Sequence, residues 1–123
     1  MNDVDIEEFR KMVAQLNSLY NEMASISKKN PDKAVSAFKV KYANMVLEQA
    51  TKVLGESSPD LGFTHFDLDD LPTSSDVVLI ISQFVECAEK IRCENIEKSF
   101  DGWYWRNDSE ITHIITNPPK GVR

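Results

Sequence analysis

Ile6, Phe9, Val13, Leu16, Tyr20 and Met23 follow one another at alternating steps of three and four residues. That spacing lays one apolar stripe along one side of a 3.6-residue helix. Asp5 stands just ahead of the stripe and Glu8 follows three residues later, the pattern of a capping box. The spacing predicts a helix over about residues 6–27, roughly 33 Å long at 1.5 Å per residue. A stripe of this length is stable in water only when covered, so it commits the chain to a core built from helices. Met12, Leu19 and Ile26 widen the stripe on one side. Once two further helices cover the other side, these three residues are available for a second copy, in a homodimer through Met12, Leu19 and Ile26, unless core burial alone consumes them.

With 123 residues, the chain has the usual size of a single domain with one core. Lys28 and Lys29 suit the negative end of the first helix, and Asn30-Pro31-Asp32 reads as a new start with Pro31 in the first helical position. A second helix is therefore predicted over residues 31–54, with Val35, Phe38, Tyr42, Met45, Val46, Gln49 or Ala50, and Val53 facing inward and Gly55 ending it. The short link makes the first two helices antiparallel. Thr73 or Ser74, with Asp76, begins a third helix over about 75–98, its apolar positions running from Val77 to Ile96. Residues Val77 to Ile81 alone read equally well as a buried strand; the unbroken 3.6-residue period from Phe84 onward favours the helix. Between the second and third helices, Phe63, Phe66, Leu68 and Leu71 are expected to anchor a long loop to the core. Gly102-Trp103-Tyr104-Trp105-Arg106 and Ile111 to Thr116 read as two strands around an Asn-Asp-Ser turn, a hairpin over 102–116 lying on the helices. Trp103 and Trp105 take one face, with a row of Ile111 or Ile114 opposite. The prolines at 118 and 119 make residues 117–123 an extended or disordered tail. The expected fold is mainly α (α+β): a three-helix antiparallel core with a C-terminal β-hairpin.

Charge is distributed unevenly. The chain carries a net −6, and residues 55–76 alone hold six acids and no base. Such a segment repels phosphate and attracts a basic surface. Cys87 and Cys93 sit six residues apart in the third predicted helix, about 240° around its axis, so they cannot pair while the helix is intact. Free thiols fit a reducing cytoplasm. The first residues are acidic and lack the order of a secretion signal, and the longest apolar run, Val77 to Ile81, is too short to span a bilayer. Neither export nor a membrane is expected.

Motifs for chemistry are weak. Asp67-Leu68-Asp69-Asp70 clusters carboxylates, but a calcium loop starting at Asp67 requires glycine sixth and glutamate twelfth, where this chain has Pro72 and Val78. The bland account is an acidic turn ahead of a helix N-terminus, where negative charge is favoured. His65, His113, Cys87 and Cys93 lack the close pairs of a zinc site, and no local signature makes either thiol a nucleophile. Glycines never cluster into a phosphate loop. The Trp-Tyr-Trp-Arg strand invites a nucleic-acid reading, with bases stacked on aromatics and arginine on phosphate. Nearby cations are few, namely Lys98, Arg106, Lys120 and Arg123, so tryptophan packing in the core is the better account and leaves Tyr104 and Arg106 exposed on the opposite face.

The expectation is a non-enzymatic cytoplasmic protein-interaction module, a regulator, adaptor or inhibitor of the immunity-protein kind, without cofactor or metal. Asp67, Asp69, Asp70, Tyr104 and Arg106 would bind a basic protein partner. A nucleic-acid-associated protein using the hairpin and tail is the alternative; a metal-dependent enzyme at Asp67–Asp70 ranks third.

Overall fold

The computed structural model describes residues 2–60, 62, 65–108 and 110–121. Three helices are followed by a three-stranded antiparallel sheet: α1 (Asp3–Lys29), α2 (Ala37–Leu54), α3 (Ser74–Glu94), β1 (Ile96–Ser99), β2 (Gly102–Arg106) and β3 (Ile111–Thr116). The expected mainly helical α+β architecture is present, with one strand more than expected.

Helix α1 begins one capping step early. Asn2 is the cap: its side-chain oxygen accepts from the Asp5 N–H at 2.9 Å, and the Asp5 carboxylate accepts from the Asn2 N–H at 3.2 Å. Asp5 thus serves as the third residue of the box, not as the cap itself. Ile6, Phe9, Leu16 and Met23 are buried, and Met12 and Leu19 join them at 2% and 4% exposure, while Ile26 is half-buried against the same cluster. The surface expected to receive a second copy is therefore inside the core, because α1 lies between α2 and α3 and is covered from both sides.

Helix α2 starts at Ala37, six residues later than the proline signal suggests. Residues 31–35 are held instead against the entry of α3. Val35 N–H donates to Pro72 O at 2.9 Å, Ser74 N–H to Lys33 O and Ser75 N–H to Pro31 O, both at 3.1 Å. Ser74, fully buried, adds its hydroxyl to Asn30 O at 2.7 Å. Backbone groups committed to these bonds cannot also enter a helical ladder. Ser36 becomes the cap, its hydroxyl accepting from the Lys39 N–H. The helix is also rotated from expectation. Val40, Ala43, Val46, Leu47, Ala50 and Leu54 are buried, whereas Phe38, Tyr42 and Met45 are exposed.

The stretch from Val77 to Ile81 is helical, capped by a reciprocal pair in which Thr73 Oγ1 accepts from the Asp76 N–H and the Asp76 carboxylate accepts from the Thr73 N–H. The helix ends at Glu94, short of the expected Lys98, because Ile96–Ser99 pairs with β2 in the register Ile96↔Trp105 to Ser99↔Gly102. Two strands gain a third this way, which a lone hairpin needs. Trp105 is buried edge-on against Phe9, ring centroids 5.5 Å apart, and Trp103 and Ile114 also pack on the core. Ile111 and Ile115 lie on the outer face. Of the expected loop anchors, Phe66 is buried, Leu68 and Leu71 are exposed, and Phe63 lies outside the described residues.

Candidate functional site

The acidic loop is positioned by one side chain of α2. Asn44 Oδ1 accepts from the Phe66 N–H at 2.7 Å and Asn44 Nδ2 donates to Phe66 O at 2.9 Å. A side-chain amide thereby stands in for a neighbouring strand, satisfying both backbone groups of Phe66 as its ring enters the core. Immediately afterwards the chain makes a single 3₁₀ turn, Leu68–Asp70, in which Asp67 Oδ1 accepts from the Asp69 N–H at 2.9 Å. Leu71 then adopts φ 48° in the left-handed region and turns the chain back towards buried Pro72.

As a result Asp67, Leu68, Asp69, Asp70 and Leu71 all face solvent. Among the described residues no lysine or arginine pairs with Asp67, Asp69 or Asp70; the ion pairs, Arg10–Glu7, Lys39–Glu22, Lys52–Glu48 and Arg92–Glu89, lie elsewhere. Leu71 is 67% exposed and Leu68 is exposed beside it. Among the described residues no three His, Cys, Asp or Glu side chains form a group that could hold a metal ion.

Tyr104 and Arg106 occupy the outer face of the sheet. The Tyr104 hydroxyl donates to Asp101 Oδ1 at 3.0 Å, a bond that raises its pKa because the carboxylate stabilises the protonated phenol. Arg106 is exposed. The acidic turn leads into the start of α3 and these two residues follow its end, so a helix length of about 30 Å separates them. The five side chains expected to bind a protein partner lie on two separate surfaces. With both tryptophans turned inward, Tyr104 is the one aromatic of its strand left to stack on a base.

The cysteines are free. Cys87 donates to Ser57 O at 2.7 Å, and burial raises its pKa; burial and the neighbouring Glu89 raise that of Cys93. Raised values keep both thiols protonated and poorly nucleophilic. His65 and His113 are exposed, on the loop and on β3.

The strongest polar cluster was not legible in the sequence. All five N–H donors of Arg92 are engaged. Nε and Nη2 grip the Glu89 carboxylate side-on at 2.7 and 2.8 Å; Nη1 donates to Thr116 Oγ1 and Asn117 O at 2.9 and 2.7 Å, and Nη2 donates also to Pro118 O at 2.9 Å. Glu89 in turn accepts from the Lys120 N–H at 3.0 Å. Residues 117–120, expected to belong to an extended or disordered tail, are clasped onto α3 together with Thr116 at the end of β3; Arg123 lies outside the described residues. The three-residue spacing of Glu89 and Arg92 signals an ion pair on one helix face. Nothing local signals the carbonyls that complete it.

No helix among the described residues is long and apolar enough to cross a membrane. No protein-family model, curated protein or solved structure matches the chain.

Proposed function

We propose that the chain is a protein-binding module, acting by association and not by catalysis, and that the turn from Asp67 to Leu71 is its principal contact. One observation carries the reading: three exposed carboxylates without a cation partner among the described residues alternate with two exposed leucines. Carboxylates of one sign steer a basic partner to the surface, and desolvated leucines seat it. The partner is a protein with a basic surface around a shallow apolar recess, and the module is a regulator, adaptor or inhibitor of it. Half-buried, protonated thiols suit a reducing compartment such as the cytoplasm.

Capture from extracts of the source cells tests the assignment. Wild type is compared with a triple Asp67→Asn, Asp69→Asn, Asp70→Asn variant and with a Leu68→Ser, Leu71→Ser variant. Both variants are expected to lose the co-eluting partner by about tenfold or more while keeping the fold. Undiminished recovery with both would remove the turn from the interface.

A further inference from the structure

Helix α2 is apolar on two opposite faces, and the fold uses one of them. On the outer face stand Phe38, Tyr42 and Met45, with Phe38 79% and Met45 60% exposed. Gln49 and Lys52 continue the same line, so the steps from residue 38 are four, three, four and three. Phe38, Tyr42 and Met45 are the apolar members of this line, and four-three steps are the spacing by which a helix face packs on another helix, as α1 does inside the core. The spacing itself points to another helix as occupant.

Charge selects which helix. The molecule carries −6 overall, so most of its surface opposes a second copy. Around the seam the signs interleave: Lys11, Lys41 and Lys52 alternate with Glu8 and Glu48, all exposed. Beside the seam runs a groove of about 450 Å³ between α1 and α2, floored by Met12 and Val46 and edged by Gln15 and Gln49. A rim that carries both signs opposes a second copy less than the acidic surface around it, and the apolar residues at its centre can seat on their own copies under a two-fold rotation. The acidic turn lies off this face, on the flank of α2 marked by Asn44.

We infer that the outer face of α2 is a homodimer interface, with the α2 helices of two copies packed antiparallel through Phe38, Tyr42 and Met45. Three anchors per copy make a small contact. Half-association is expected at roughly 10–100 µM, the range of transient interfaces. The inference is independent of the partner-binding turn, and either can fail alone.

Sedimentation velocity on the full chain, from low micromolar up to about 500 µM, decides it by mass action. Wild type is expected to shift from monomer to dimer. Phe38→Glu and Met45→Glu should each weaken the association at least tenfold with an unchanged circular dichroism spectrum, since both side chains are mostly in solvent. Leu79→Glu, on the exposed face of α3, should leave it unchanged. A wild type that stays monomeric throughout would overturn the inference. So would a dimer that survives both α2 substitutions.

Discussion

At the scale of single residues, Glu89 and Arg92 show how one ion pair serves a tertiary purpose. The Arg92 guanidinium, bonded side-on, holds the Glu89 carboxyl at about 2 against an ordinary 4.5, and the Lys120 N–H adds to the effect. The pair is largely enclosed, with side chains 11% and 19% exposed, so solvent screens it less than a surface pair. The folded value lies below the unfolded one. The clasp therefore stabilises the native state above the unfolded value and loses that contribution as pH falls from about 4.5 towards 2. Glu89→Gln removes the titrating group. In urea unfolding, the stability difference between wild type and Glu89→Gln should be largest near neutrality and shrink through that acid interval. A difference independent of pH would mean that the carboxylate contributes nothing through its charge. Asn44 is the second residue of this kind: an amide in mid-helix has no obvious role until Phe66 arrives beside it and pairs its N–H and C=O with that amide.

Among the elements, α1 was the most legible and α2 the least. The period of α1 has one solution, and the wider stripe through Met12 and Leu19 reflects burial from two sides. Helix α2 offers two solutions. Phe38, Tyr42 and Met45 are bulkier than Val40, Ala43 and Ala50, and a reading by size and hydropathy picks the outer face. Close approach to α1 favours the small residues instead, because packed helices sit only about 8–10 Å apart. Measured on monomer, Leu47→Ala should cost about 2–5 kcal/mol, and Phe38→Ala should stay within about 0.5 kcal/mol. Urea titrations giving the opposite order would rotate the helix back to the face its larger residues suggest. The third helix illustrates a different ambiguity. Ile91 and Ile96 keep a helical reading alive, and what ends the helix at Glu94 is Trp105 waiting across the sheet for Ile96.

For the whole molecule, charge and apolar surface are segregated. The carboxylates of the acidic turn lie by the entry of α3, the exposed seam along α2, and the aromatic strand at the far end of α3. Surfaces of such different composition respond differently to ionic strength. Raising salt should weaken partner capture by the acidic turn several-fold while leaving self-association through α2 nearly unchanged; parallel salt dependence of the two would imply a single shared surface. Local chemistry in the sequence by itself determined three helices, a capped start for α3, a β element around the tryptophans and the inward turn of Trp105, because periodicity, caps and β-propensity act within a few residues. Tertiary structure decided the rest. Residues 31–35 left the helix their proline favoured because α3 needed their carbonyls, Ile96–Ser99 became a strand because β2 lay beside it, and residues 117–120 were fixed on α3 by Arg92 and Glu89. In each case the deciding partner lies far away in the chain, and a hydrogen bond between distant segments has no signature in the neighbours of either end.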